Sequence, residues 1–254
     1  MNILQSIIIG VIEGFTEFLP ISSTGHMIVV AKFLGLPQNE AMKAYEVIIQ
    51  FAAILAVLIV YKDKITLKHR NLWYKVFIAF LPLAIVGFIF KDQIKALFNP
   101  TLVAIMFIIG GIAFLIIEYF YNENKVKVKN VEELSFRDAF LIGLFQLLSF
   151  IPGTSRAGST IAGGMLIKQS RKVATEFSFL LAIPVMGAVS GYDLLKHYKD
   201  LMQGDLIAYG VGFITAFIVA WFTIKLLLAF ISRFSFVPFG IYRILFGSFL
   251  LYIF

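Results

Sequence analysis

The chain contains no cysteine and only three histidines. Disulfide frameworks and thiolate zinc sites are therefore excluded, and an all-histidine metal centre is left with almost no material. Charge is scarce as well. Only 15% of the 254 residues are charged while 60% are hydrophobic, against roughly 25% charged in ordinary soluble domains. With a mean hydropathy of +0.90 and long apolar runs such as Val47 to Tyr61 and Leu102 to Ile117, the surplus apolar surface demands lipid. A water-soluble globular enzyme is excluded. The net charge of +7 does not indicate nucleic acid, because the basic residues sit in short loops between apolar runs, where they set membrane orientation. No basic leader or small-residue cleavage site precedes Gly10, so no removable signal segment is expected.

Six segments read as membrane spans: 46–61, 74–90, 101–121, 173–191, 206–224 and 238–254. Two further apolar regions, 3–35 and 139–168, are broken at their centres by Leu19-Pro20-Ile21-Ser22-Ser23-Thr24-Gly25-His26 and Ile151-Pro152-Gly153-Thr154-Ser155-Arg156-Ala157-Gly158-Ser159. Irregular backbone survives at membrane depth only where protein or a wet cavity satisfies it. Each region is expected to be a re-entrant helical hairpin. The two regions also correspond at a constant offset of 133 residues: Gly10 falls on Gly143, Glu13 on Gln146, Thr16 on Ser149, Ser22 on Ser155, Gly25 on Gly158 and Ile28 on Ile161. The fold expected is an all-α integral membrane protein, a single membrane domain over 1–254. It would consist of two repeats, 1–121 and 134–254, joined by a linker at 122–133, each a hairpin plus three transmembrane helices. Three is odd, so the second repeat should be inverted relative to the first, letting the broken loops meet near the midplane. One face carries about twice as many Lys and Arg as the other and is expected to be cytoplasmic.

Glu13 and Glu17 are four residues apart in an apolar helix, so their carboxylates share one face. Two ionised acids at membrane depth cost about 2.5–3.5 kcal/mol each unless compensated. A divalent ion or Arg156 from the other loop could compensate them; the plainer alternative is a protonated acid or a wet helix end. Arg156 follows a Pro-Gly turn at a helix start, where its donor fork and free backbone N–H groups make a phosphate-shaped site. It could also serve only to neutralise the acids. In the first loop, Ser22, Ser23 and Thr24 offer hydroxyls, and His26 offers a group able to carry protons near neutrality. A plain helix cap and a polar plug are the structural alternatives. His69 and His197 lie in charged loops and read as surface residues. Glu118, Gln50 and Glu176 are left outside the expected site.

The segments Glu13 to His26 and Pro152 to Thr160 closely resemble the two signature motifs of the undecaprenyl-diphosphate phosphatase family, the bacitracin-resistance proteins of bacteria, and the resemblance extends over the full length. It departs at Ala157, where the family commonly has serine. The resemblance implies a multi-pass enzyme of the bacterial inner membrane that hydrolyses undecaprenyl diphosphate to the monophosphate plus phosphate, recycling the carrier for cell-wall synthesis and conferring bacitracin resistance. It implies magnesium or calcium as cofactor, a site opening to the periplasmic side, and a polyprenyl diphosphate lipid with surrounding membrane lipid as partners. A homodimer is left open. Carried over by position, Glu13 and Glu17 would hold the metal or position water and Ser23 would be the nucleophile. Arg156 and Ser155 would grip the diphosphate, with Ser22, Thr24, Gly153, Thr154 and Thr160 contributing to binding, and His26 would shuttle the proton.

The rival from another class is an inverted-repeat transporter or flippase of a polyprenyl phosphate lipid. A second class of lipid phosphatase needs a further histidine after its Ser-Arg motif, and residues 157–193 contain none.

Overall fold

The computed structural model describes residues 1–36, 39–202 and 205–254; the side chains of 40, 41, 95 and 197–201 also lie outside the described set, His197 among them. Among the described residues eleven α-helices run in order: α1 (Ile3–Thr16), α2 (Ser23–Phe33), α3 (Glu40–Val60), α4 (Arg70–Ile89), α5 (Lys91–Ala96), α6 (Pro100–Phe120), α7 (Phe136–Gln146), α8 (Arg156–Leu166), α9 (Arg171–Leu201), α10 (Leu206–Ile231) and α11 (Val237–Ile253). Among the described residues the only extended pairing is an isolated bridge between Val128 and Gln169. The protein is all-helical and multi-pass.

Local chemistry fixes the helix starts. Asn2 and Gln5 form a reciprocal capping box at α1, Asn39 caps α3, Asn99 caps α6 just before Pro100, and Asp205 accepts from two N–H groups of α10. Each satisfies first-turn N–H groups that have no partner within the helix. Among the described residues, five helical segments are long and apolar enough to cross a membrane: Met42–Val60, Leu67–Ile89, Pro100–Phe120, Arg171–Lys196 and Leu206–Ile231. The sixth expected span is α11. At 17 residues it reaches only about 26 Å at 1.5 Å per residue, short of a hydrocarbon core of about 30 Å. The expected span at 173–191 is the middle of α9, which continues through Pro184 for 31 residues.

Both broken regions are helix, break, helix. α1 ends at Thr16 and α2 begins at Ser23; α7 gives way to a 3-10 turn at Leu147–Phe150, and α8 begins at Arg156. α1 lies along α10, α7 along α4, α6 along α11, and α3 crosses α9 at the centre. Small residues let the backbones approach. A Cβ on Gly10 would stand 2.6 Å from the Gly212 carbonyl oxygen, and one on Gly143 would collide with the backbone of Ala79. Without a hydrophobic drive between helices in lipid, such close backbone contact supplies the association energy. The main core gathers residues of α3, α4 and α7 to α10, including Phe177, Phe179 and Leu180. Phe88, Tyr119 and Phe120 are at least 77% exposed and form part of the lipid-facing surface.

Candidate active site

The two breaks converge on one cavity of about 290 Å³, with Glu17, Ser22, Ser23 and Thr24 on one side and Gly153, Ser155 and Arg156 on the other. Each break ends in a serine with left-handed backbone, Ser22 at φ 65° and Ser155 at φ 75°. That conformation costs a non-glycine residue about 1–3 kcal/mol and persists only where the surroundings impose it. Its result is to turn the starts of α2 and α8 toward the cavity. Ser155 caps its own helix by accepting from the Gly158 N–H, whereas Ser22 makes no side-chain cap bond. First-turn N–H groups of α2 thus remain available to an anion. Gly153 needs its φ of 91° and its missing side chain, because a Cβ would stand 2.4 Å from the Val103 carbonyl oxygen.

Glu17 joins the halves. One carboxylate oxygen accepts from Arg156 Nη2 at 3.1 Å and the other from Ser23 Oγ at 2.7 Å. Arg156 also donates through Nη1 to the Ser178 carbonyl, while its buried Nε has no hydrogen-bond partner. A guanidinium with an unused donor beside a cavity can serve both as counter-ion and as an oxyanion grip. Glu13 is 1% exposed, and its Oε1 has no partner. It borders a smaller cavity of about 80 Å³, which shares Ser23, Thr24 and Gln50 with the larger one.

Three expected residues fall elsewhere. His26 lies off both cavities, its Nδ1 donating to the Ser22 carbonyl at 2.8 Å and its Nε2 accepting from the Tyr242 hydroxyl at 2.6 Å, stacked on Tyr242 and Phe246. The ring fixes the Ser22 carbonyl from behind the loop. Thr154 turns its hydroxyl to the Ile151 carbonyl. Thr160 is fully buried and reaches the Ser178 hydroxyl, tying α8 to α9. None of the three touches the cavity. If His26 positions the loop, His26→Asn, which keeps an N–H near the place of Nδ1, should lower turnover while leaving the shape of the pH–rate profile intact; loss of one limb would restore the proton shuttle.

Two residues outside the expected site belong to it. Gln50 lines both cavities from α3. Arg243 in α11 is 0% exposed, and its guanidinium donates to five carbonyls: Pro20 of the first loop, Gly153 and Thr154 of the second, and Met106 and Phe107 of α6. One buried cation thus holds both breaks in register. Its signal in the sequence is a lone charge inside an apolar span. Glu118, by contrast, does lie away from the site, accepting from Arg171 and from the Phe236 N–H. His69 pairs with Glu132 at 3.2 Å.

The donors around Glu13 are carboxylate, hydroxyl and amide oxygens, the set preferred by magnesium and calcium. With the orphaned Glu13 Oε1 they fit such an ion. Among the described residues no group of three or more His, Cys, Asp or Glu is disposed as a metal site. An ion there would need water and substrate phosphate oxygens to complete its shell.

Fold and site define a helical membrane protein with an intramembrane polar cavity built from two broken hairpins and equipped for an oxyanion. The sequence model of the bacitracin resistance protein BacA family matches residues 6–249. Undecaprenyl-diphosphatases of Sulfurovum sp. and Sulfurimonas denitrificans are 65% and 61% identical over the whole of both chains, and that of Persephonella marina is 50% identical over the same extent. The chain belongs to the BacA family of bacitracin resistance proteins.

Proposed function

We propose that this protein hydrolyses undecaprenyl diphosphate to undecaprenyl phosphate and inorganic phosphate, returning the lipid carrier to cell-wall synthesis and raising tolerance to bacitracin. The observation that carries the reading is the Ser23–Glu17–Arg156 chain, which places a hydroxyl, a base and an oxyanion grip on one cavity. Relatives 65% and 61% identical over the full length are named undecaprenyl-diphosphatases.

Ser23 Oγ attacks the terminal phosphorus and gives its proton to Glu17, already its hydrogen-bond acceptor. The bond to the bridging oxygen breaks, the departing phosphate oxygen takes that proton from Glu17, and undecaprenyl phosphate leaves. Water then attacks the phosphoserine and gives a proton to the freed Glu17 carboxylate, which passes it to Ser23 Oγ as the P–Oγ bond breaks, so phosphate departs with Ser23 restored. Arg156 and the uncapped N–H groups of α2 hold the phosphoryl oxygens as charge shifts among them. A magnesium or calcium ion near Glu13 would offset further negative charge on the phosphates. If serine is the attacking group, Ser23→Ala should lose at least about a hundredfold in kcat, measured as phosphate release. A variant retaining most of its rate would make water the nucleophile.

The enzyme would reside in the bacterial plasma membrane with the cavity open to the periplasmic side, as the twofold charge bias supports. The inverted-repeat organisation over 1–121 and 134–254 belongs to the same proposal. Its support is the left-handed backbone at both Ser22 and Ser155, and the close glycine contacts at both Gly10 and Gly143. Discontinuous helices of this kind also occur in transporters. Purified protein in detergent has no second compartment, so saturable phosphate release from farnesyl or longer prenyl diphosphates is expected of the hydrolase; binding without turnover in the presence of magnesium or calcium would favour transport.

A further inference from the structure

We infer that the divalent cation of this enzyme is held between α1 and α3 by Glu13 and Glu46, assisted by Gln50, and not by the Glu13–Glu17 pair that the sequence motif suggests. The inference deepens the reading of the site as a metal-assisted phosphatase and rests on it. Glu17 is the weaker second ligand for a simple electrostatic reason. Its two carboxylate oxygens already accept from Arg156 and Ser23, so an ion there would meet the like charge of the guanidinium. Glu13 has the opposite problem. Its Oε1 is buried without any partner, and an unpaired carboxylate oxygen away from water is costly unless a cation or donor supplies the missing interaction.

The small cavity shows where that interaction would come from. Glu13, Glu46 and Gln50 border it together with Ser23 and Thr24. Glu46 and Gln50 are four residues apart in α3, so they present oxygen donors one turn apart on the same face. The charged group acting on Glu46 from its own helix is Lys43. The volume of about 80 Å³ accommodates an ion with one or two waters, taking about 30 Å³ for each water. Because Ser23, Thr24 and Gln50 also border the larger cavity, an ion in the small one would lie beside a bound phosphate, with Arg156 on the other side. Two carboxylates, an amide oxygen, water and phosphate make a hard-cation shell. The unpaired Glu13 oxygen and the second acidic wall are thereby explained together.

Manganese binding to the detergent-purified full chain, followed by the electron paramagnetic resonance of free Mn²⁺, tests this without reference to turnover. Glu46→Gln should weaken binding at least about tenfold, as loss of a ligand does, whereas Glu17→Gln should stay within about threefold of the parent. Should Glu46→Gln not give monodisperse protein, Glu46→Asp is measured, with a loss of at least about threefold expected from the withdrawn carboxylate. Unchanged binding in the Glu46 variant, a loss in Glu17→Gln equal to that in the Glu46 variant, or no binding by the parent would each overturn the assignment. Phosphate release by the manganese-loaded parent is read separately: binding without hydrolysis would count against the phosphatase reading and leave the cation site standing.

Discussion

Replacing Arg156 with lysine is expected to leave no more than about 1% of kcat/KM, and replacing it with alanine about 0.1% or less, the scale on which removal of oxyanion donors acts. Both changes keep α8, since neither disfavours a helix. They differ in what remains at the cavity. Lysine retains the charge that faces Glu17 but not a planar fork, so it cannot hold Glu17 and Ser178 while offering a further N–H to phosphate. Alanine removes the counter-ion as well and leaves Glu17 buried without it, so its deficit includes misplacement of Ser23. Rates of phosphate release from a prenyl diphosphate, with KM determined for each variant, check the ordering. A lysine variant with near-parental kcat would reduce Arg156 to a counter-ion.

Arg243→Lys is expected to lower kcat at least about tenfold although Arg243 never reaches the cavity, because a displacement of about 1 Å can cost a hundredfold. The guanidinium serves five carbonyls on three segments. An ammonium has only three donors and cannot span Pro20, Gly153 and the end of the Met106–Phe107 turn together. Arg243→Ala strands the loop carbonyls of Pro20, Gly153 and Thr154, while Met106 and Phe107 keep their bonds within α6, and each buried group left unpaired costs about 1–3 kcal/mol. Several such losses approach the whole stability of a domain, about 5–15 kcal/mol, so little folded protein is expected from that variant. The lysine variant separates positioning from bulk stability. Its kcat should fall far more than its KM changes while the thermal transition remains cooperative; a proportionate loss of folded protein with unaltered kcat would make Arg243 purely structural.

The parts of the site that were legible in the sequence are those whose cost is visible there. Acids at Glu13 and Glu17 and a cation at Arg156 are expensive in lipid wherever they point, and Pro20 and the Pro152-Gly153 pair interrupt a helix. The structure brings Glu17 and Arg156 into contact across 139 residues of chain. Direction is harder to read. His26 follows Ser23 by three residues, yet its ring turns away to Ser22 and Tyr242, a choice made by the aromatic surface of α11. Thr160 is close to Arg156 in sequence but belongs to the seam with α9. Gln50 and Glu46 occupy a helix whose apolar periodicity conceals which face meets the cavity. Arg243 carried the same signal as Arg156, a charge in an apolar span, but Gly240 and Gly247 on either side of it lie within one continuous helix and mark no broken loop. Nor did the sequence mark the close packing of α11 along α6, with glycine contacts at Gly111 and Gly240.

The central claim is that residues from two broken hairpins make one phosphoryl-transfer site inside the membrane. Product analysis with purified protein in detergent tests it most directly: undecaprenyl diphosphate is supplied, free phosphate is counted and the lipid product is weighed by mass spectrometry. One phosphate per molecule of undecaprenyl phosphate is expected, with both products lost together when either Ser23 in the first loop or Arg156 in the second is replaced. Release of diphosphate with the free alcohol, or turnover that survives replacement in one of the two loops, would contradict it.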